Sequence, residues 1–338
     1  MKAAVLKAFN AQPTVEEIPV PEVSGSEVLI RQTYTGICHR DILTLKGRFP
    51  RTRLPIVPGH EVSGKIVKTG EGVATFKVGD RVAGLIYMPC GKCRFCKSGR
   101  ENLCRSKKTL GEAVDGSYAP YVLTNDESVV QVPRGVDEEA SVISACVTGM
   151  LVQALKIRAR LSYGETVLVT GAGGGVGTHA VQIAKAMGAK VIAATSSKWK
   201  RERIYGLGAD AVISSDNIAE QVKAQTGGEG VDVVVDSVGA PTFRESLKSL
   251  NFGGRLLVVG NVDPSAAELP LGYAILKGIE IIGSISSTRR DIAEALEMTR
   301  MGRIRAVIDR RIALQDLNEA YRSMEKRETF GRVLIDLS

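Results

Sequence analysis

The run Thr170-Gly171-Ala172-Gly173-Gly174-Gly175-Val176-Gly177 constrains this chain more than any other stretch. The strand-like Glu165-Thr166-Val167-Leu168-Val169-Thr170 leads into it, and a helical pattern from about Val176 to Met187 follows, stopping at Gly188. Glycines between a buried strand and a helix allow a tight turn, and they aim backbone N–H groups and the helix N-terminus at a pyrophosphate. The plainer alternative is a turn that serves only close packing. Lys190–Ala194 reads as the next strand, with further strand-like runs at 211–213, 231–236, 255–260 and 280–283. Helical stretches separate several of them. Such alternation predicts a parallel, doubly wound sheet.

The end of the second strand bears on the choice of cofactor. An NAD site usually carries an acid there, bound to the ribose 2′-hydroxyl. This chain reads Thr195-Ser196-Ser197-Lys198-Trp199-Lys200-Arg201, with hydroxyls and cations where a 2′-phosphate would sit. The pattern favours NADP(H), with Thr195, Ser196, Ser197, Lys198 and Arg201 as candidate contacts beside Gly171, Gly173, Gly174, Gly175, Val176 and Gly177. An ordinary basic helix start that tolerates either cofactor is the alternative.

The first 130 residues have another character. Short alternating runs (28–34, 62–67) and turn chemistry at Gly70, Gly72 and Gly79-Asp80 predict a β-barrel-like region with little helix. Within it, Cys90, Cys93, Cys96 and Cys104 crowd into fifteen residues. Four thiolates on one tight loop suit a tetrahedral, closed, structural zinc. Free thiols, a disulfide or an iron–sulfur cluster are the competing readings. Lys92, Arg94, Lys97, Arg100, Arg105, Lys107 and Lys108 would offset the thiolate charge.

A second polar constellation is Cys38-His39-Arg40-Asp41 with His60-Glu61, and Cys146 stands further along. Cys38, His60 and Cys146 make a plausible three-ligand zinc site with an open position. Asp41 could orient His60, and Glu61 could be a supplementary ligand. Spacing alone does not assemble these residues, and a lone Cys146 reads equally well as a small buried side chain.

The 338 residues suit two domains, and no apolar run reaches the roughly 20 residues of a membrane span. The N-terminus is short, charged and strand-like, so a cytoplasmic protein is expected. The net charge of +8 reads as a solvated basic surface or, more sharply, as attraction for anionic small molecules; the basic residues are scattered, which speaks against nucleic acid.

Taken in order, Gly59-His60-Glu61, the four cysteines, Cys146, the glycine loop and Asp236-Ser237-Val238-Gly239 resemble the zinc-containing alcohol dehydrogenases of the medium-chain dehydrogenase/reductase superfamily. The resemblance spans essentially the whole chain. It implies a GroES-like β-barrel catalytic domain (1–148 and 286–338, zinc lobe 88–108), a Rossmann domain (149–285), an active site between them, and a homodimer or homotetramer. It implies catalytic zinc on Cys38, His60 and Cys146, with Glu61 as the alternate ligand; Asp41 and Arg40 are further candidate catalytic residues, Arg40 as a donor to the enolate oxygen of a thioester substrate. His39 would meet the cofactor pyrophosphate, and Ser237, Val238, Gly260, Asn261, Val262 and Ser284 would line the cofactor site. One departure stands out: Arg40 occupies the place where these enzymes usually carry a proton-relaying Ser or Thr. The runs 146–150, 260–265 and 271–277 are similar to the archaeal acryloyl-coenzyme A reductases, which share that Arg. The expected reaction is NADP(H)-dependent interconversion of an alcohol and a carbonyl compound. The alternatives are NADPH-dependent reduction of an enoyl thioester, or NADPH binding without catalysis.

Overall fold

The computed structural model describes residues 1–263 and 265–338. Pro264, part of the 260–265 run above, lies outside the described residues. The chain forms two compact units, 1–150 with 286–338, and 151–285.

The second unit is built on a six-stranded parallel sheet. Its order is Ala211–Ser214, Lys190–Thr195, Thr166–Val169, Val231–Asp236, Leu250–Val258 and Glu280–Gly283. Val167, Leu168 and Val169 are fully buried, as an unbroken apolar strand with helices over both faces requires. Strand order reverses between Thr166–Val169 and Val231–Asp236, and ligands of such sheets bind beyond the strand ends at this reversal. The glycine loop leaves one of these two strands and the Ser237 turn leaves the other. The fifth strand starts earlier than its 255–260 reading, because a register shift after Val231 lets Leu250 join the sheet. It also ends earlier: the Val259 amide turns away to donate to Asp236 O (3.0 Å).

The first unit contains a five-stranded antiparallel sheet, ordered Val129–Gln131, Arg81–Gly84, Val62–Thr69, Glu27–Arg31 and Tyr121–Asn125. The C-terminal strand Arg332–Asp336 lies between Ile308–Ala313 and Tyr34–Ile37, so the chain's end closes onto its beginning. The first 130 residues hold more helix than their turn-rich sequence suggested. The helix His39–Leu45 buries Ile42 and Leu45, and Asp41 Oδ2 accepts from the Cys38 amide (2.8 Å) to cap it. At seven residues it is too short for a 3.6-residue period to stand out in sequence. The helix Arg289–Arg300 begins with a fuller capping box, in which Thr288 and Asp291 bond each other's amides. Among the described residues no helix is long and apolar enough to cross a membrane.

Candidate active site and metal centres

The four-cysteine lobe is assembled by local backbone. Cys93 precedes the single helical turn Arg94–Lys97, and Cys104 follows the turn Glu101–Leu103. The thiols of Cys90, Cys93, Cys96 and Cys104 lie within 4.8 Å of one another, with Cys93 and Cys96 Sγ at 3.5 Å. Backbone N–H groups of Lys92 and then Cys93 point at the Cys90 sulfur and pull its pKa down to about 6. The Cys96 amide does the same in kind for Cys93. Cys96 itself is pushed up to about 12, first by burial and then by its sulfur neighbours. A cluster with one sulfur so reluctant to ionise alone fits a dication that neutralises all four.

Long-range packing, by contrast, builds the second site. Cys38 caps the helix His39–Leu45; His60 and Glu61 precede the strand Val62–Thr69; Cys146 sits on a widened helical turn, Ser144–Gly149, of the kind frequent at functional sites. Their donor atoms also fall within 4.8 Å. His60 Nε2 is 3.2 Å from Cys146 Sγ, which lies 3.8 Å from Cys38 Sγ. His60 Nδ1 meets Asp41 Oδ1 at 2.9 Å, so Nε2 is turned toward the sulfurs. Burial works against the charged imidazole, but the Asp41 carboxylate outweighs it and the His60 pKa is raised to about 10. The Cys146 thiol donates toward Cys38, holding Cys38 well below and Cys146 well above the ordinary thiol range. Two cysteine sulfurs, a histidine ring nitrogen and a carboxyl group converging in a buried space are a donor set that fits Zn²⁺.

Three members of this site were not foreseen. Arg332, heading the C-terminal strand and only 4% exposed, forms a bidentate pair with Glu61 and brings Nη2 within 3.5 Å of Cys146 Sγ. Burial drives the Glu61 pKa up despite the Arg332 charge. Gly36 makes room for Glu61: a Cβ there would come 1.7 Å from Glu61 Oε2. Buried Tyr118 donates to Asp41 Oδ2 (2.7 Å) and fixes the carboxylate that orients His60. An Arg opening an otherwise apolar strand (Arg332-Val333-Leu334-Ile335) was the one available hint.

The Arg40 guanidinium pairs with Glu112 and lies 4.5 Å over the Phe49 ring. The reason is geometric: the first helical turn sends residue 40 to a different face from Asp41, and a carboxylate waits there. His39, the first helical residue, is half-buried.

In the second unit, Gly177 packs so closely that a Cβ would strike Gly171 O at 2.2 Å, while at Gly174 the nearest atom is 3.4 Å away. A tight loop with one approachable face is what a pyrophosphate needs. Ser237 Oγ donates to Thr170 O (2.9 Å), and buried Asp236 accepts from the Val238 and Gly239 amides (2.9 Å each). The Val262 amide donates to Val238 O, and a Cβ at Gly260 would strike Ser237 O, so Ser237, Val238, Gly260, Asn261 and Val262 form one packed turn cluster. Thr195 is buried and accepts from the Ser197 amide (3.3 Å), which makes it a turn former. Ser196 and Lys198 are exposed, with Ser197 and Arg201 half-buried. Arg201 Nε and Ser284 Oγ are buried without a hydrogen-bond partner among the described residues.

Fold and site together define a zinc-binding, dinucleotide-dependent dehydrogenase scaffold. The chain belongs to the zinc-containing alcohol dehydrogenase family of the medium-chain dehydrogenase/reductase superfamily: residues 24–134 match the alcohol dehydrogenase GroES-like domain, and residues 175–300 the zinc-binding dehydrogenase domain. It is 44% identical over 336 residues to an acryloyl-coenzyme A reductase of Metallosphaera sedula, covering 99% of both chains. To an alcohol dehydrogenase of Geobacillus stearothermophilus it is 37% identical over 339 residues, again covering 99% of each. The crystal structure of an NAD-dependent alcohol dehydrogenase superposes with a TM-score of 0.92 at 32% identity, covering 100% of both. The chain is thus an oxidoreductase of a family that uses zinc and a nicotinamide cofactor.

Proposed function

We propose that this protein uses NADPH to reduce a C=C bond conjugated to a thioester carbonyl, as the name of its Metallosphaera relative describes for that protein. The observation that carries this reading is Arg40. The position that usually holds an alcohol's relay hydroxyl presents instead a guanidinium committed to Glu112 and Phe49. Alcohol oxidation must pass a proton from the substrate to solvent, and an Arg paired with a carboxylate is no such relay. Reduction of an enoyl thioester adds hydride from NADPH at the β-carbon and a proton at the α-carbon; a Cys38–His60–Cys146 centre would stabilise the charge on the enolate oxygen until water supplies that proton, so no hydroxyl relay is required.

When bound, nicotinamide supplies the hydride and zinc an electrophile for the carbonyl oxygen. Cys38, His60 and Cys146 would hold that zinc, with Glu61 available as a fourth donor. Asp41, itself held by Tyr118, keeps His60 Nε2 aimed at the site, and Arg332 pairs with Glu61. Cys90, Cys93, Cys96 and Cys104 would hold a second, structural zinc. Two features support NADPH over NADH: the strand Lys190–Thr195 ends without an acid, and Arg201 has a buried, unpartnered Nε where a 2′-phosphate oxygen could bond. Self-association is supported by the edge strand Glu280–Gly283 and by Phe252, Ile275 and Leu276, which are 73%, 77% and 80% exposed.

A second reading, interconversion of an alcohol and a ketone, is favoured by the open three-ligand geometry itself. Initial rates with crotonyl-coenzyme A, a ketone panel, NADPH and NADH separate the two. Thioester turnover with NADPH and negligible ketone turnover is the expected result. Ketone turnover without thioester turnover overturns it.

A further inference from the structure

Between Asp41 and Glu61 the sequence contains no acid, yet Lys46, Arg48, Arg51 and Arg53 fall within it. The backbone fixes their loop: the Arg48 amide donates to Leu43 O, Thr52 to Phe49 O and Arg53 to Glu112 O, each at 3.0 Å. Some exposed cations elsewhere on this protein find partners, as in Lys7–Glu16, Lys185–Asp210 and Arg300–Glu297. Lys46 likewise pairs with Glu325. Arg48, Arg51 and Arg53 are exposed and make no side-chain hydrogen bond or ion pair among the described residues. The neighbouring acid, Glu112, is already taken by Arg40. Lys107 belongs to the same field: burial lowers its pKa, and the Arg40 and Arg51 charges push the same way against Cys104 and Glu112. Crowded, uncompensated like charge on a fixed loop is costly unless a polyanion answers it.

We propose that Arg48, Arg51 and Arg53, with Arg40 and Lys107 behind them, seat the phosphate groups of a coenzyme A thioester. This rests on the thioester reading above. The placement suits such a substrate. The helix His39–Leu45 begins beside Cys38 and runs roughly 10 Å before it reaches this loop. Coenzyme A separates its pyrophosphate and 3′-phosphate from the reacting thioester by a long, uncharged pantetheine arm. An arginine fork matches phosphate oxygens in geometry, so three on one loop recognise a ligand with two phosphate centres.

The test compares kcat/KM for crotonyl-coenzyme A and crotonyl-pantetheine, with NADPH, in the intact protein and in R51Q, R53Q and R51Q/R53Q. Both residues are exposed, so the variants should fold. The wild type is expected to prefer the coenzyme A ester. That preference should drop about tenfold per arginine removed and shrink as potassium chloride is raised. An undiminished preference in the double variant overturns the proposal, as does a rise in KM confined to NADPH. If the wild type reduces neither thioester, the thioester reading fails, and the loop is judged separately by calorimetry with free coenzyme A. Binding weakened in R51Q/R53Q then sustains the anion seat; absent or unaltered binding sinks it.

Discussion

Replacing Asp236 by Asn puts the proposed cofactor site to a quantitative test, because one buried carboxylate organises the turn there. Asp236 is 0% exposed and accepts from Thr170 Oγ1 (3.0 Å), the Val238 and Gly239 amides (2.9 Å each), Thr242 Oγ1 (2.8 and 2.9 Å) and Ser246 Oγ (2.7 Å). An asparagine keeps one acceptor, which the two rigid amides will claim. Its NH2 then faces Thr242 and Ser246, whose hydroxyls must rotate to accept, while the remaining bonds lose their charge assistance. We expect a loss of about 2–4 kcal/mol, since bonds to a charged group contribute about 1.5–3 kcal/mol and neutral ones about 1. The protein's single tryptophan, Trp199, lies in the same unit, so its fluorescence follows the right transition in guanidinium chloride. With a slope of roughly 4 kcal/mol per molar, the midpoint should fall by about 0.5–1 M. NADPH affinity should weaken by about tenfold, because the 237–239 turn loosens. The control T242V removes one donor and strands nothing, and should cost about 1 kcal/mol. A D236N midpoint within about 0.1 M of wild type, or a T242V loss equal to that of D236N, would refute this account of the turn.

Two further outcomes follow from the second metal site. Zinc entering the metal-free Cys38–His60–Cys146 centre must displace the proton of His60, whose pKa stands near 10, and that of Cys146, which is raised, while Cys38 is held low. Affinity at this site should therefore climb as pH rises from 6 toward 9, with protons released on binding, measured by chelator competition and by indicator dye in weak buffer; pH-independent uptake contradicts the assignment. Separately, R332M leaves Glu61 buried and unpaired, and should cost roughly 3–5 kcal/mol in metal-free protein, with R332M/E61Q recovering part of it. Amide hydrogen exchange along Tyr34–Ile37, which pairs with the Arg332 strand, reads the change; a single-variant loss below about 1 kcal/mol sinks the idea.

What could be read from sequence divides along the range of the forces involved. The glycine loop, the strands around it and the helix ending at Gly188 are set by neighbours within a few residues, and they appear where composition put them. So do the cysteines of the lobe, whose ligands arrive within fifteen positions. The helix His39–Leu45 escaped because two turns give periodicity too little length. Arg332 and Tyr118 escaped because their partners, Glu61 and Asp41, stand 271 and 77 residues away, and no local pattern encodes such a meeting. The partner of Arg40 was illegible for a related reason: its separation from Cys38 is local, but the direction of its side chain depends on Glu112, 72 residues on.

The same division explains why the two cysteine groups differ chemically. Around Cys90 and Cys93 the charge is managed by adjacent backbone amides, which travel with the loop wherever it is placed. Such a site can be structural because it needs nothing from the rest of the fold. At Cys38 and Cys146 the charge is managed by Asp41, Glu61, His60 and Arg332, drawn from segments that meet only once the unit is folded. Of these, Asp41 and Arg332 can be altered without removing a member of the ligand set, so this is a site whose chemistry can change while its candidate ligands stay. Arg40 fits that view: a substitution two residues from a ligand replaces the relay hydroxyl of the alcohol dehydrogenases and leaves Cys38, His60, Glu61 and Cys146 converged.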